Sequence, residues 1–247
     1  MGKNRKFNLL VLIPNSGMSK EILADRKQML SKYASNNTEI TVECIPAGPI
    51  SIETEYEEFE AGIHILDRAR TVAEDGFDCM IIYCSSDPAV RAARELTSVP
   101  VIGPGYISMM VGQELGDQYS IITPLEEMIN INNVKLRGYG FDPTKCKSIR
   151  SLDINVDNLR EKIDETYKVL LKEGEKCVLE DGAHVIVLAC LGLAGLGERL
   201  QKDLHIPVID PAAVSIKYAE LLYNLGLNYS PLSYKQALLA NWLEGEF

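Results

Sequence analysis

Two stretches decide the fold: "DGFDCMIIYCSSDPAV", Asp75 to Val90, and "DGAHVIVLACLGLAGL", Asp181 to Leu196. In each, Asp-Gly precedes an apolar run, and a cysteine, Cys84 or Cys190, falls nine positions after the Asp. Short apolar runs bounded by turn residues read as buried strands. After Cys84 come a helical pattern and then "SVPVIGPGYISMM"; after Cys190 come a helical pattern and then "HIPVIDPAAVSIK". The cysteines are 106 residues apart and the Pro-Val-Ile strands 107. Any two strand–helix–strand units share a pattern of apolar runs. A matched cysteine and a repeated Pro-Val-Ile point further, to an internal duplication.

The same alternation runs outward from these stretches. "FNLLVLI", "EITVECI", "CMIIYC", "VPVIG", "YSIITP", "CKSIRSL", "AHVIVLAC" and "IPVID" read as strands. Between them, "MSKEILADRKQMLSKYA", "DPAVRAAREL", "GLGERLQKDL" and "AAVSIKYAELLYNLGL" read as helices, the last ended by Gly226. "YEEFEAGIHILDRARTVAED" reads as a helix whose apolar positions are Phe59, Ile63, Leu66 and Ala69. "NVDNLREKIDETYKVLLKEGEKCVLED" reads as one long helix. The expected class is α/β, each repeat a mostly parallel sheet flanked by helices; if the repeats form two pseudo-twofold-related lobes that face each other, the active site is expected in the cleft between them. The expected division is 1–104 plus 212–247 for one lobe and 105–211 for the other. The tail "SPLSYKQALLANWLEGEF", with Trp242, carries a further helical apolar pattern.

Composition excludes several classes of function. The 247 residues suffice for real cores, and 46% apolar with 24% charged residues is ordinary for a globular protein. A formal charge of −10 with no basic stripe excludes a general nucleic-acid-binding role. The opening "MGKNRKFNLLVLIPNSG" has a basic end and an apolar run, but the run is short, is interrupted by Asn8 and lacks a small-residue cleavage site. It reads as a first strand. No stretch approaches a membrane-spanning length, and the expected location is cytoplasmic. None of the six cysteines forms a CxxC pair, and His64, His184 and His205 lie at no ligand spacing, so no metal site is expected.

In parallel α/β sheets, ligands bind beyond the carboxyl ends of the strands. Cys84 and Cys190 each sit at such an end, before a loop and a helix start. The helix N-terminus is expected to favour the thiolate and to hold an anion such as an enolate. Two thiols on opposite sides of one cleft suit racemisation without a cofactor: one thiolate removes a carbon-bound proton and the other thiol supplies one to the opposite face. A single cysteine ending an apolar strand is most often a packing residue, and it is the duplication that lifts this pair above that reading. Cys44, Cys79, Cys146 and Cys177 lack such partners and read as core or surface thiols.

Almost the whole chain resembles the aspartate/glutamate/hydantoin racemase superfamily, and within it the hydantoin branch, which includes allantoin racemases. The resemblance rests on "LIPNSG", "GPISIETEYEE", "CSSDPAVRAARELTSVPVIG", "SIITP", "DGAHVIVLACLGLAGL" and "PVIDPAAVSIKYAELLYNLGL", in that order. It implies two α/β lobes, a small-molecule substrate, a catalytic pair Cys84 and Cys190, no metal, no pyridoxal phosphate and, among relatives, homo-oligomers. It also implies substrate contacts from Asn15, Ser51, Ser85, Ser86 and Thr123, and from the backbone of Leu191 and Gly192. Each has a plainer reading, Asn15 and Ser51 as turn residues and Thr123 as a helix cap. The family's amino-acid racemases carry Cys-Asn-Thr and Cys-Thr-Glu at the two sites, where this chain has "CSSDP" and "CLGLAG". That departure points away from free aspartate or glutamate and toward a hydantoin-like ring. The Asp87-Pro88 pair reads as a helix initiator. An amino-acid racemase, a cysteine-dependent isomerase or decarboxylase, and a non-enzymatic ligand-binding protein stand as alternatives.

Overall fold

The computed structural model describes residues 5–234, so the tail helix pattern and Trp242 lie outside the described residues. Two parallel four-stranded sheets are present. The first has strand order β2-β1-β3-β4, from β1 (Phe7–Ile13), β2 (Thr38–Cys44), β3 (Cys79–Ile82) and β4 (Val101–Ile102). The second repeats it as β6-β5-β7-β8, from β5 (Tyr119–Thr123), β6 (Cys146–Ser151), β7 (Val185–Leu188) and β8 (Val208–Ile209). The helices are α1 (Lys20–Ser31), α2 (Glu55–Thr71), α3 (Val90–Leu96), α4 (Pro104–Leu115), α5 (Glu127–Gly138), α6 (Ile163–Leu179), α7 (Gly197–Leu204) and α8 (Pro211–Leu225).

The inner strands β1, β3, β5 and β7 read as mainly apolar runs because both faces of each sheet are covered there, while the edge strands β2 and β6 carry polar residues. Side chains alternate along β1: Leu9, Val11 and Ile13 pack with Leu30 of α1 and with Ile216 and Leu222 of α8. Leu10 and Leu12 point the other way, onto Ala61 and Ile65 of α2 and Val90 and Ala93 of α3. The second sheet is built alike. Ile122, Ile186 and Leu188 pack on Tyr167 and Leu170 of α6 and Leu200 of α7, while Tyr119, Ile121 and Val187 pack with Met109 of α4 and Leu136 of α5. The lobes thus exchange helices: α4 follows the first sheet but packs on the second, and α8 does the reverse.

Helix starts follow local chemistry. Ser19 caps α1 by accepting from the Ile22 N–H, and Thr54 with Glu57 forms a capping box on α2. Gly226 ends α8 with φ +64, as a left-handed cap requires.

Three expectations are corrected. The buried face of α2 is Ala61, Gly62, Ile65 and Ala69; Phe59 and Ile63 are exposed, because the small residues allow the helix to lie close to its neighbours. The long helix before β7 starts only at Ile163, after a separate 3-10 turn over Val156–Arg160. Asp87-Pro88 does not open α3: Asp87 and Ala89 both have positive φ, and the Asp87 carboxylate instead accepts from the Gly105 and Tyr106 N–H groups at the start of α4, at 2.8 and 2.7 Å. Among the described residues, no helix is long and apolar enough to cross a membrane.

Candidate active site

The sheet order places a topological switch point between β1 and β3, and its repeat between β5 and β7. The loops leaving the carboxyl ends of these four strands line one cavity of about 630 Å³, a volume suited to a small molecule. Cys84 and Cys190 both line it. Both are partly buried free thiols.

Neither thiol is poised as an anion, against the expectation from the strand ends. Burial pushes the Cys84 thiol up; hydrogen bonds from Ser86 pull the other way, as does the charge of Lys135. Burial likewise pushes Cys190 up, to about 12, against hydrogen bonding by the Gly192 N–H and the field of Arg26. The reason is local. α3 starts six residues beyond Cys84, and only a three-residue 3-10 turn follows Cys190, so no long helix aims its N-terminus at either sulfur.

Most of the other expected contacts surround the thiols. Asn15 lines the cavity with its side-chain amide fixed by a 2.7 Å donation to the Ile50 carbonyl. Ser85 is buried, and its Oγ has no hydrogen-bond partner among the described residues. Ser86 Oγ lies 3.5 Å from Cys84 Sγ. Thr123 is fully buried at the end of β5, with Asn132 beside it. Leu191 gives its carbonyl to the Tyr83 hydroxyl at 3.3 Å, which ties the two lobes together. The Gly192 N–H is turned onto Cys190 Sγ at 3.3 Å and so is already engaged. Ser51 does not line the cavity; its neighbours Ile50 and Ile52 do.

Among the lining residues that escape sequence reading are Arg26 on α1, Tyr83 at the end of β3, Lys135 on α5 and Arg160 in the 3-10 turn. Lys135 donates to Glu58 at 3.1 Å and to the Ser86 carbonyl, bracing the loop after Cys84. Arg160 donates to the Gly192 and Ala194 carbonyls at 3.1 and 2.9 Å, bracing the loop after Cys190. A weak signal for Lys135 exists in "EEMININNVKLRGYG", whose apolar spacing and closing glycines mark a helix. Arg26 gives none, since an arginine on an amphipathic helix ordinarily faces solvent. Among the described residues, no group of three or more His, Cys, Asp or Glu side chains is placed to hold a metal.

Residues 9–219 match the Asp/Glu/Hydantoin racemase family. The chain belongs to that family. It is 34% identical over 220 residues to a hydantoin racemase of Rhizobium meliloti, covering 89% of this chain and 90% of the relative. It is 31% identical over 199 residues to a hydantoin racemase of Pseudomonas sp. (strain NS671), covering 81% and 80%. The solved structure of allantoin racemase from Klebsiella pneumoniae superposes with a TM-score of 0.85 at 31% identity, covering 93% of this chain and 94% of that one. The protein is accordingly an isomerase of the racemase type, built on the family's two-lobed fold.

Proposed function

We propose that this racemase acts on a hydantoin-like cyclic amide, a 5-substituted hydantoin or allantoin, without a cofactor, by proton exchange through Cys84 and Cys190. The observation that carries the reading is the presence of two free thiols, from matched strand ends of the two lobes, on one cavity of small-molecule size. The named activities of the relatives support the ring, and "CSSDP" and "CLGLAG" lack the side chains that grip a free amino acid.

The hydrogen at C5 of a hydantoin lies next to a carbonyl. One cysteine, ionised, takes that proton, and the C–H electron pair moves toward the carbonyl oxygen as an enolate. The opposite thiol then gives its proton to the other face of C5, and the two cysteines have exchanged protonation states. We assign stabilisation of the enolate oxygen to the loop after Cys84, where Ser85 lines the cavity and its buried hydroxyl has no partner among the described residues. High thiol pKa values are compatible with this chemistry: they make the ionised fraction small but the thiolate a stronger base.

The test is a panel of single-enantiomer 5-substituted hydantoins, allantoin, aspartate and glutamate in D2O. Loss of optical rotation with one solvent deuteron entering at the stereocentre is expected for a cyclic amide and not for the amino acids. Racemisation of aspartate or glutamate with all cyclic amides inert would overturn the substrate assignment.

A further inference from the structure

Two cations line the cleft at matched places. Lys135 sits on α5, the helix after the first strand of the second sheet, and its charge acts on Cys84 of the first lobe. Arg26 sits on α1, the helix after the first strand of the first sheet, and its charge acts on Cys190 of the second. Their surroundings differ. Lys135 is satisfied by Glu58 and the Ser86 carbonyl. Arg26 makes no hydrogen bond or ion pair among the described residues, and its Nη1 is buried without a partner. Burial lowers its affinity for the proton, and the neighbouring Arg160 adds to that. Arg160 cannot relieve it, being a cation already engaged with two carbonyls. Tyr83, Cys190 and Asp25 pull the other way, but Asp25 is exposed and forms no ion pair with Arg26. Asp157 and Glu161 are likewise exposed lining residues, and the lining carboxylates Glu53 and Glu58 are engaged by the Val156 N–H and Lys135. Burial holds Cys190 as the neutral thiol, so it supplies no counter-charge.

A guanidinium with a buried, unpaired N–H group is costly, and a neutral ligand that drives water from the cleft raises that cost. An anionic ligand removes it. The planar fork of Arg matches a carboxylate in two parallel hydrogen bonds. Resting on the racemase reading, we propose that Arg26 is a specificity-determining residue: it binds a carboxylate carried on the ring substituent, so the preferred substrate is a cyclic amide with an acidic side chain.

The test compares an isosteric pair, single-enantiomer 5-carboxymethylhydantoin and 5-carbamoylmethylhydantoin, by kcat/KM in the wild type, Arg26→Met and Arg26→Lys. The wild type is expected to favour the acid by about tenfold or more. The preference should collapse in Arg26→Met and survive in part in Arg26→Lys. The ratio is taken within one protein, so a loss of folded material cancels. Equal rates for acid and amide in the wild type, or an undiminished acid preference in Arg26→Met, overturns the proposal. If neither compound is racemised, the racemase reading fails for this ring, and calorimetric titration of the same pair decides Arg26 separately. Acid-selective binding that disappears in Arg26→Met upholds the carboxylate site; equal binding of the two compounds overturns it.

Discussion

At the scale of single residues, the cleft is governed by burial more than by charge. Cys84 and Cys190 each have a cation within electrostatic reach, yet desolvation holds both thiols neutral. The proposed two-thiol exchange needs one thiolate and one thiol. In the free protein the thiolate fraction therefore grows with pH, by about tenfold for each unit while pH stays below both raised values. We expect kcat/KM for a cyclic amide to climb steadily from about pH 6.5 to about pH 8.5, with no plateau near neutrality. A rate profile flat across that range would show that a thiolate already exists at neutral pH, against the burial argument. The cysteines themselves were legible from their nine-residue spacing to Asp75 and Asp181. Arg26 was not, because its lack of a partner is a property of packing and leaves no trace in the local pattern.

At the scale of elements, each cysteine loop is locked by an aspartate and a tyrosine. Asp87, in the loop after Cys84, takes the Gly105 and Tyr106 N–H groups of α4 and the Tyr139 hydroxyl at 2.7 Å. In the second repeat the carboxylate comes from the other side. Asp210, which caps α8, takes the Gly195 N–H of the loop after Cys190 at 2.7 Å and the Tyr33 hydroxyl at 3.2 Å. Tyr33 follows α1 as Tyr139 follows α5, so the lock is repeated although the aspartates occupy different positions in the two repeats. Asp87 looks like a helix initiator in the sequence because Pro88 and a helical pattern follow it.

The lock demands close approach. A Cβ at Gly105 would stand 2.1 Å from the Ser85 carbonyl oxygen, next to Cys84. Gly105→Ala must push that loop or α4 aside, at a cost of about 1–3 kcal/mol by overpacking. Thermal denaturation should show a lower Tm, and kcat should fall with it because the Cys84 loop moves. Unchanged Tm and kcat in Gly105→Ala would contradict this account of the loop. Strands and most helices were legible at this scale from apolar runs and punctuation by glycine and proline. The rotation of α2, with Phe59 and Ile63 outward, was not, because it follows from small residues at the contact face and not from hydrophobicity.

At the scale of the whole molecule, the duplication explains why a cleft exists at all. Identical strand orders bring two switch points together, and each lobe surrenders a helix to the other, α4 to the second sheet and α8 to the first. This exchange supports our proposal that the lobes divide as 1–104 plus 212–247 and 105–211. Cross-lobe bonds close the arrangement around the cavity: Tyr83 to the Leu191 carbonyl, and the Glu53 carboxylate to the Val156 N–H at 3.0 Å. The repeated order of Asp-Gly, strand, cysteine, helix and Pro-Val-Ile made the architecture readable in advance. The residues that line the cavity from α5 and the 3-10 turn were hidden, since nothing local says which side of a helix meets another lobe.

The central claim is that both thiols, one from each lobe, act on a single carbon. Its most direct test follows the racemisation of each enantiomer of an active cyclic amide by the wild type, Cys84→Ser and Cys190→Ser, with stability measured alongside. The account predicts folded variants that each lose racemisation of both enantiomers by about a hundredfold or more. Full activity in either variant would contradict it.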